Sequence, residues 1–481
     1  MLLDGLLGTV MYAKSFLLAV GLLPSFVQAA SFDAASLSLF WGVPFALILL
    51  SIALFPLFFH HLWHNHFGKI TLLWSLLFLI PFTIVFGFQE SLHIVVHALI
   101  AEYIPFILLL LVLFTISGGI FITGNLKSSP KSNVTLLAIG TALASVMGTT
   151  GAAMLMIRPV LKANEHRKYK VHVVIFFIFL VANIGGGLTP LGDPPLFLGF
   201  LKGVSFGWTV IHMLVPVLMS AIILLVAFYF LDRHYFAKEG EIKTHSTLHP
   251  EKKEVFGKWN FVLLAGVVAT VIMSGVWQPK HLGFNIFGVH APLPNVVRDV
   301  IFVLLTIISL LITPKQVRAG NQFNWEPILE VAKLFAGIFI TISPVLAMLQ
   351  AGEKGAFAGV ISLVHNAAGQ PINTMYFWMT GLLSAFLDNA PTYLVFFNMA
   401  GGNAASLMSN QLHTLLAVSM GSVFMGALSY IGNAPNFMVK SIAEQRKVKM
   451  PSFFGYMMWS FGILVPLFIL HTFIFFIFEL F

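Results

Sequence analysis

Apolar residues in this chain come in long blocks rather than in alternating or striped patterns. Leu72 to Phe88 and Phe106 to Ile122 contain no charged side chain, and each approaches the roughly 20 residues that cross a hydrocarbon core as a helix. The pattern predicts membrane segments at about 37–59, 70–88, 92–124, 171–203, 208–231, 260–277, 297–312, 327–349, 412–439 and 453–478. Two further apolar stretches, 133–162 and 374–400, carry a turn signal in the middle. They are expected to be re-entrant hairpins that enter and leave on one side. Irregular backbone at that depth is tolerated only where protein or a water-filled cavity surrounds it. The expected fold is an all-α polytopic membrane protein.

The polar positions set the organisation. Residues 232–259 are charged in both signs and lack a long apolar run, as expected of a cytoplasmic linker between two halves, 37–231 and 260–478. With the hairpins as drawn, one side collects Lys69, Lys127, Lys131, Lys162, Arg167, Lys168, Lys170, Lys315, Arg318, Lys440, Arg446, Lys447 and Lys449, while the other holds Lys202, Lys280 and Lys354. The crowded side is then cytoplasmic and the C-terminus periplasmic, in a bacterial inner membrane. Residues 1–29 are laid out as a signal peptide, with Lys14, an apolar run from Phe16 to Val27 and a small-residue site at Ala29. An uncleaved first helix broken by Pro24 is the alternative.

Composition sharpens this picture. The 481 residues are 58% hydrophobic and 9% charged, against about 25% charged in an average soluble domain. The absence of cysteine excludes disulfides, thiolate metal sites and a Cys nucleophile. The net charge of +8 is explained by the basic loops and does not call for nucleic acid. There is no Walker A motif or GxSxG elbow, so an enzyme is not expected, nor is a cofactor.

The strongest signal is internal. Leu188-Thr-Pro-Leu-Gly-Asp-Pro-Pro-Leu-Phe197 lines up with Leu428-Ser-Tyr-Ile-Gly-Asn-Ala-Pro-Asn-Phe437. Gly185, Gly186, Gly187 and Gly192 free the first backbone, and Pro190, Pro194 and Pro195 stop its helix; Gly432 and Pro435 do the same in the second. Both segments are therefore expected to be broken helices, 171–203 and 412–439, each following a hairpin. A broken helix exposes carbonyls on one stub and amides on the other, ready-made ligands for cations and anions. A simple proline kink would account for one such segment, but not for two at matching places. Inverted repeats with discontinuous helices are a mark of secondary transporters. The hairpin centres also correspond, Gly148 and Thr149 standing opposite Asp388 and Asn389.

Asn183-Ile-Gly-Gly-Gly-Leu-Thr-Pro-Leu-Gly-Asp-Pro-Pro195, Asp388-Asn-Ala-Pro391 and Ser429-Tyr-Ile-Gly-Asn433 resemble the Ion Transporter superfamily, which includes NhaD-type sodium/proton antiporters, arsenite permeases and citrate-transporter-like proteins of the CitMHS kind. The resemblance extends over about 37–478. It implies a scaffold part and a mobile transport part, elevator-like alternating access and a homodimer. It also implies a substrate site at the hairpin tips and breaks: Thr149, Thr150, Asn183, Thr189, Asp193, Asp388, Asn389, Thr392, Ser429 and Asn433. Dicarboxylate carriers of the superfamily share Ser-Asn-Thr triplets at both tips. This chain has Gly148-Thr-Thr150 and Asp388-Asn-Ala390 instead, which points toward a cation.

Intramembrane carboxylates are functional by default. Asp193 and Asp388 fall inside the breaks, and a carboxylate without a counter-charge in low dielectric can exchange a proton for a hard cation. The competing role is to cap a half-helix, which weighs as much for Asp193 as proton carriage does. Arg158 is expected to snorkel, or else to hold an anion or carboxylate. Glu330 and Lys333 read as an interfacial pair, and Glu102 and Asp299 as boundary residues. His60, His61, His64 and His66 suit a metal or a pH sensor by spacing, but read better as decoration of a membrane boundary. The leading expectation is a sodium (or lithium)/proton antiporter, with Na⁺ and H⁺ as coupling ions and no resident metal. A cation-coupled citrate or dicarboxylate symporter is the alternative, and an oxyanion permease a weaker one. The expected partners are a small ion and membrane lipid.

Overall fold

The computed structural model of the chain describes residues 34–124, 128–239, 254–277, 279 and 282–480. The expected signal peptide and half of the expected linker, residues 240–253, lie outside these residues. Among the described residues, nine helical stretches are long and apolar enough to cross a membrane.

Two short 3₁₀ turns, Ala34–Ser36 and Leu39–Gly42, lead into α1 (Val43–Phe58), α2 (His60–Phe86) and α3 (Phe88–His97); a π-helical turn, Ala98–Tyr103, joins α3 to α4 (Ile104–Ser117). Strand β1 (Phe121–Thr123) follows, then the short pair α5 (Pro130–Met147) and α6 (Thr149–Ala163). Next come α7 (Val171–Leu180), a 3₁₀ turn Ile184–Leu188, α8 (Pro194–Leu201) and the long α9 (Phe206–Glu239). The second half holds β2 (Glu254–Phe256), α10 (Trp259–Val276), β3 (Gly283–Ile286), β4 (Val289–Pro292), α11 (Leu293–Ile312), α12 (Lys315–Gly320) and α13 (Glu326–Gln350). After α14 (Ala358–Ile361), α15 (Asn373–Phe386) and α16 (Asn389–Met399) form a second short pair. Then α17 (Ala404–Ser409), α18 (Leu412–Met425), a 3₁₀ turn Gly426–Leu428, α19 (Ala434–Gln445), α20 (Phe453–His471) and a π turn Thr472–Ile477 complete the chain.

Among the described residues the fold is α-helical apart from two small antiparallel ribbons, β1 with β2 and β3 with β4. Several boundaries differ from the sequence expectation. Helix α2 starts at His60 rather than near 70 and runs through Asn65 and Gly68, with Trp63 buried in that first stretch. The third segment ends at Ser117 rather than 124, where Gly118 and Gly119 stop the helix and β1 begins. Helix α9 continues through the start of the expected linker to Glu239. A buried polar knot holds it there. Asp232 accepts from Arg167 Nη1 (2.5 Å) and Asn133 Nδ2 (2.9 Å) and faces His172 Nε2 (2.8 Å), while Arg167 Nε reaches Glu239 (3.1 Å).

Helices α5 to α9 and α15 to α20 pack largely among themselves, α15 lying along α18, α16 on α8 and α19 on α6 and α7. Helices α1, α2, α4, α10, α11 and α13 form a second set, which meets the first where α13 packs on α16 and α4 on α6. Burial separates the roles. The Val171–Leu188 stretch is 89% buried within the protein, against 22% for the 18-residue apolar window within His61–Phe86. The former is a central post; the latter presents most of its apolar surface outward, as a lipid-facing helix does.

Other charged residues find specific partners. Arg158 donates to Met154 O (3.4 Å) and Gln322 Oε1 (3.3 Å) and holds no carboxylate among the described residues. Among the described residues no ion pair joins Lys333 to Glu330. The Lys333 ammonium instead lies 5.3 Å from the Phe67 ring centroid, because helical geometry aims both stems at α2. Glu102 is buried against Lys202 (2.5 Å), and Asp299 pairs with Arg298 (2.9 Å). His64 lies 3.8 Å from Glu326 at an exposed position.

Candidate functional site

The two interruptions are built alike. Thr189 and Ser429 are extended (φ −135°, ψ 160° and φ −136°, ψ 169°). Thr189 Oγ1 donates to Ser145 O (2.5 Å) and accepts from Leu191 N (3.1 Å). Ser429 Oγ donates to Ala385 O and accepts from Ile431 N (3.1 Å). These hydroxyls close each turn and tie it to the neighbouring hairpin backbone. A Cβ on Gly192 would strike Gly186 O, and one on Gly432 would strike Gly426 O; glycine is required where the strands of each loop touch. Asp193 (φ −144°, ψ 142°) and Asn433 (φ −150°, ψ 136°) then stand at the same place before helices α8 and α19.

From this common frame the side chains diverge. Asp193 occupies the N-cap of α8 but makes no cap bond. Its Oδ1 accepts from Thr149 Oγ1 (2.9 Å) and Asn433 Nδ2 (3.1 Å), and its Oδ2 from Asn389 Nδ2 (2.5 Å). Four segments thus converge on one buried carboxylate: both short helix pairs and both interruptions. Each contributes a helix N-terminus, that of α6, α8, α16 or α19. Helix N-termini carry unpaired amides and partial positive charge, so the arrangement favours an anion.

Asp388 is used locally. It caps α16, its Oδ1 accepting from Ala390 N (3.0 Å), while its backbone oxygen accepts from Thr392 Oγ1 (2.9 Å). It is half-buried and near enough to Asp193 for the two charges to repel. The carbonyl oxygen of Asn389 is buried without a partner, an acceptor open to a cation or a donor. Neither aspartate pairs with a Lys, Arg or His among the described residues. No group of three or more His, Asp or Glu is placed to hold a metal ion among these residues.

Thr149, Asp193, Asn389 and Asn433 are therefore brought into direct contact, and Asn183 touches Asn433 (3.4 Å). Asp388 and Thr392 flank them. Thr189 and Ser429 shape the turns, as do Gly185, Gly186, Gly187, Pro190, Pro194, Pro195 and Pro435. Thr150 is half-buried and makes no side-chain bond among the described residues. Sequence reasoning missed Asn436, whose Nδ2 donates to Gly426 O and Ser429 O (both 2.9 Å). Its signal was an asparagine where the first half has Leu196. It also missed Ser145 and Ser384, which bond Gly185 O (2.5 Å) and Ser422 O (2.6 Å).

The chain is similar to a "46 kDa membrane protein" of Mycobacterium leprae, 24% identical over 324 residues, 66% of this chain and 70% of that protein. It is similar to an "Uncharacterized transporter" of Mycobacterium tuberculosis, 24% identical over 331 residues, 66% of this chain and 71% of that one. A Mycobacterium bovis protein of the same description matches to the same extent. Residues 34–476 match the family described as "Putative citrate transport". With nine candidate spans and a polar site built at its helix interruptions, this is a multi-pass bacterial membrane protein, a secondary transporter of small solutes and not an enzyme, and it belongs to that citrate-transport family.

Proposed function

We propose that the protein is a cation-coupled carboxylate transporter of the citrate or dicarboxylate type. The observation that carries this reading is the convergence of four helix N-termini on the Asp193 site. Such termini suit the carboxylates of a solute. The same site holds two aspartates and no basic partner, so a polyanion enters only if cations or protons offset its charge. Asp388 and the unpartnered Asn389 carbonyl are the ligands we assign to that cation, most simply Na⁺. The electrostatics then supply the coupling: without the cation the solute is repelled, and without the solute the extra positive charge is poorly held.

The matching turns support an inverted repeat, with α5–α6 and α15–α16 as re-entrant hairpins. The two packing sets support a mobile part moving against a fixed one, an elevator, and the superfamily resemblance adds a homodimer. The basic loops support a cytoplasmic linker side. Purified protein in liposomes should accumulate radiolabelled citrate or succinate when a Na⁺ or H⁺ gradient is applied. Absence of uptake of both solutes under both gradients sinks the reading.

A second reading, sodium (or lithium)/proton antiport, is favoured by one observation: two aspartates in one membrane site without a counter-charge. The family match ranks it below the carboxylate reading. Dye-reported ΔpH collapse on adding Na⁺ or Li⁺, in vesicles without carboxylate, would raise it to first place.

A further inference from the structure

Asn183 and Asn436 have no counterpart in the opposite half; the matching positions are Val423 and Leu196. Yet they bond to each other, Asn183 Nδ2 to Asn436 Oδ1 at 2.7 Å, and both are fully buried. The direction of these bonds is forced. Asn436 Nδ2 meets two backbone oxygens, Gly426 O and Ser429 O, which can only accept. Its own oxygen therefore faces Asn183. Asn183 Nδ2 also donates to Ile178 O (2.8 Å) at the end of α7, so its oxygen faces Asn433. Asn433 Nδ2 meets that oxygen (3.4 Å) and Ala182 O (3.0 Å). The Asn433 amide is thereby held NH₂-first, and this group donates to Asp193.

We infer that Asn436 is a positioning residue of the transport site. Acting through Asn183, it locks the two interruptions together and steadies the NH₂ end of the Asn433 amide against Asp193. With the bridge lost, Asn183 keeps Ile178 O and Asn433 keeps Ala182 O, but the tie from Asn436 to the first interruption is gone and the Asn433 amide is held less firmly against Asp193. The inference rests on the reading of Asp193 as the centre of solute and ion binding.

The test uses Asn183→Val, Asn436→Leu and the double variant in the full-length protein. Each substitution installs the residue that the other half carries at the matching place. The first measurement needs no ligand: amide hydrogen exchange in peptides covering 183–193 and 426–436. Asn436→Leu should raise exchange at both interruptions by about tenfold, the size of one lost buried hydrogen bond. The double variant should fall short of the combined single effects, because no amide is left unpaired. A rise confined to 426–436 overturns the inference, since Asn436 would then serve only its own turn.

The second measurement is ion-driven citrate uptake at equal protein content. Asn436→Leu should weaken the apparent cation affinity about tenfold by the same argument; a lower maximal rate at unchanged cation affinity contradicts the positioning role. If the leucine variant does not assemble, Asn183→Val cuts the same bond from the other side while Asn436 keeps Gly426 O and Ser429 O, and both measurements apply to it. A wild-type protein that takes up no carboxylate refutes the proposed function alone, and the exchange data still decide the bridge.

Discussion

The first interruption and the second hairpin tip each carry an aspartate at a helix N-cap, and the two side chains behave in opposite ways. Asp388 does what its position suggests, accepting the Ala390 amide and closing its own helix. Asp193 leaves its cap unmade and turns to Thr149, Asn389 and Asn433 from three other segments. A cap is a local device that Asn fulfils as well as Asp. A carboxylate that collects three donors is not replaceable in that way, because an amide presents hydrogens where acceptors are needed. The same residue type at the same local address therefore serves the fold in one place and joins the halves in the other.

That contrast can be broken by substitution. Asp193→Asn should have the largest effect. It sets an NH₂ group against buried donors, costs about 1–3 kcal/mol of stability and brings uptake to background. Thermal unfolding of the detergent-purified protein and liposome uptake check both parts. Gly192→Ala should come next, since its methyl meets the Gly186 carbonyl; less folded protein is expected on size-exclusion chromatography, with residual uptake in what remains. Asp388→Asn should keep the cap and alter stability by less than about 0.5 kcal/mol, yet weaken the dependence of uptake on the cation. An unchanged cation dependence would remove Asp388 from the ion site and sharpen the contrast into hub against pure cap. Glu330→Gln should be smallest, within about 0.5 kcal/mol and without effect on uptake.

The interruptions at 181–193 and 426–433 are legible in the chain because glycine and proline act locally: they free or block the backbone wherever they stand. The spans are legible for the same reason, since lipid demands apolar length. The meeting of Asp193 with Asn433, 240 residues apart, is tertiary, and no local pattern encodes it. Sequence spacing accordingly ranked Asp388 above Asp193 as the exchanging group, whereas the geometry places Asp193 at the centre. Asn436 was hidden because one asparagine in an apolar stretch reads as a mismatch; only its bonds to Asn183, Gly426 and Ser429 reveal a bridge. The helical run through His60–His66 and the continuation of α9 to Glu239 escaped for a related reason. Polar residues read as a membrane boundary or a linker, but packing of α2 against α13 and the buried Asp232 knot continue the helices through them.

The central claim is that both halves build one site, with the two hairpin tips meeting at Asp193. The chain has no cysteine, so introduced thiols report without background. Thr149→Cys with Asn389→Cys places one thiol on each tip, across the Asp193 carboxylate. The account predicts that a short bifunctional thiol reagent bridges the pair within one protein molecule, and that citrate added with the coupling cation slows the reaction. If the pair fails to cross-link although each single cysteine reacts with a monofunctional reagent, the tips do not meet and the shared site is contradicted.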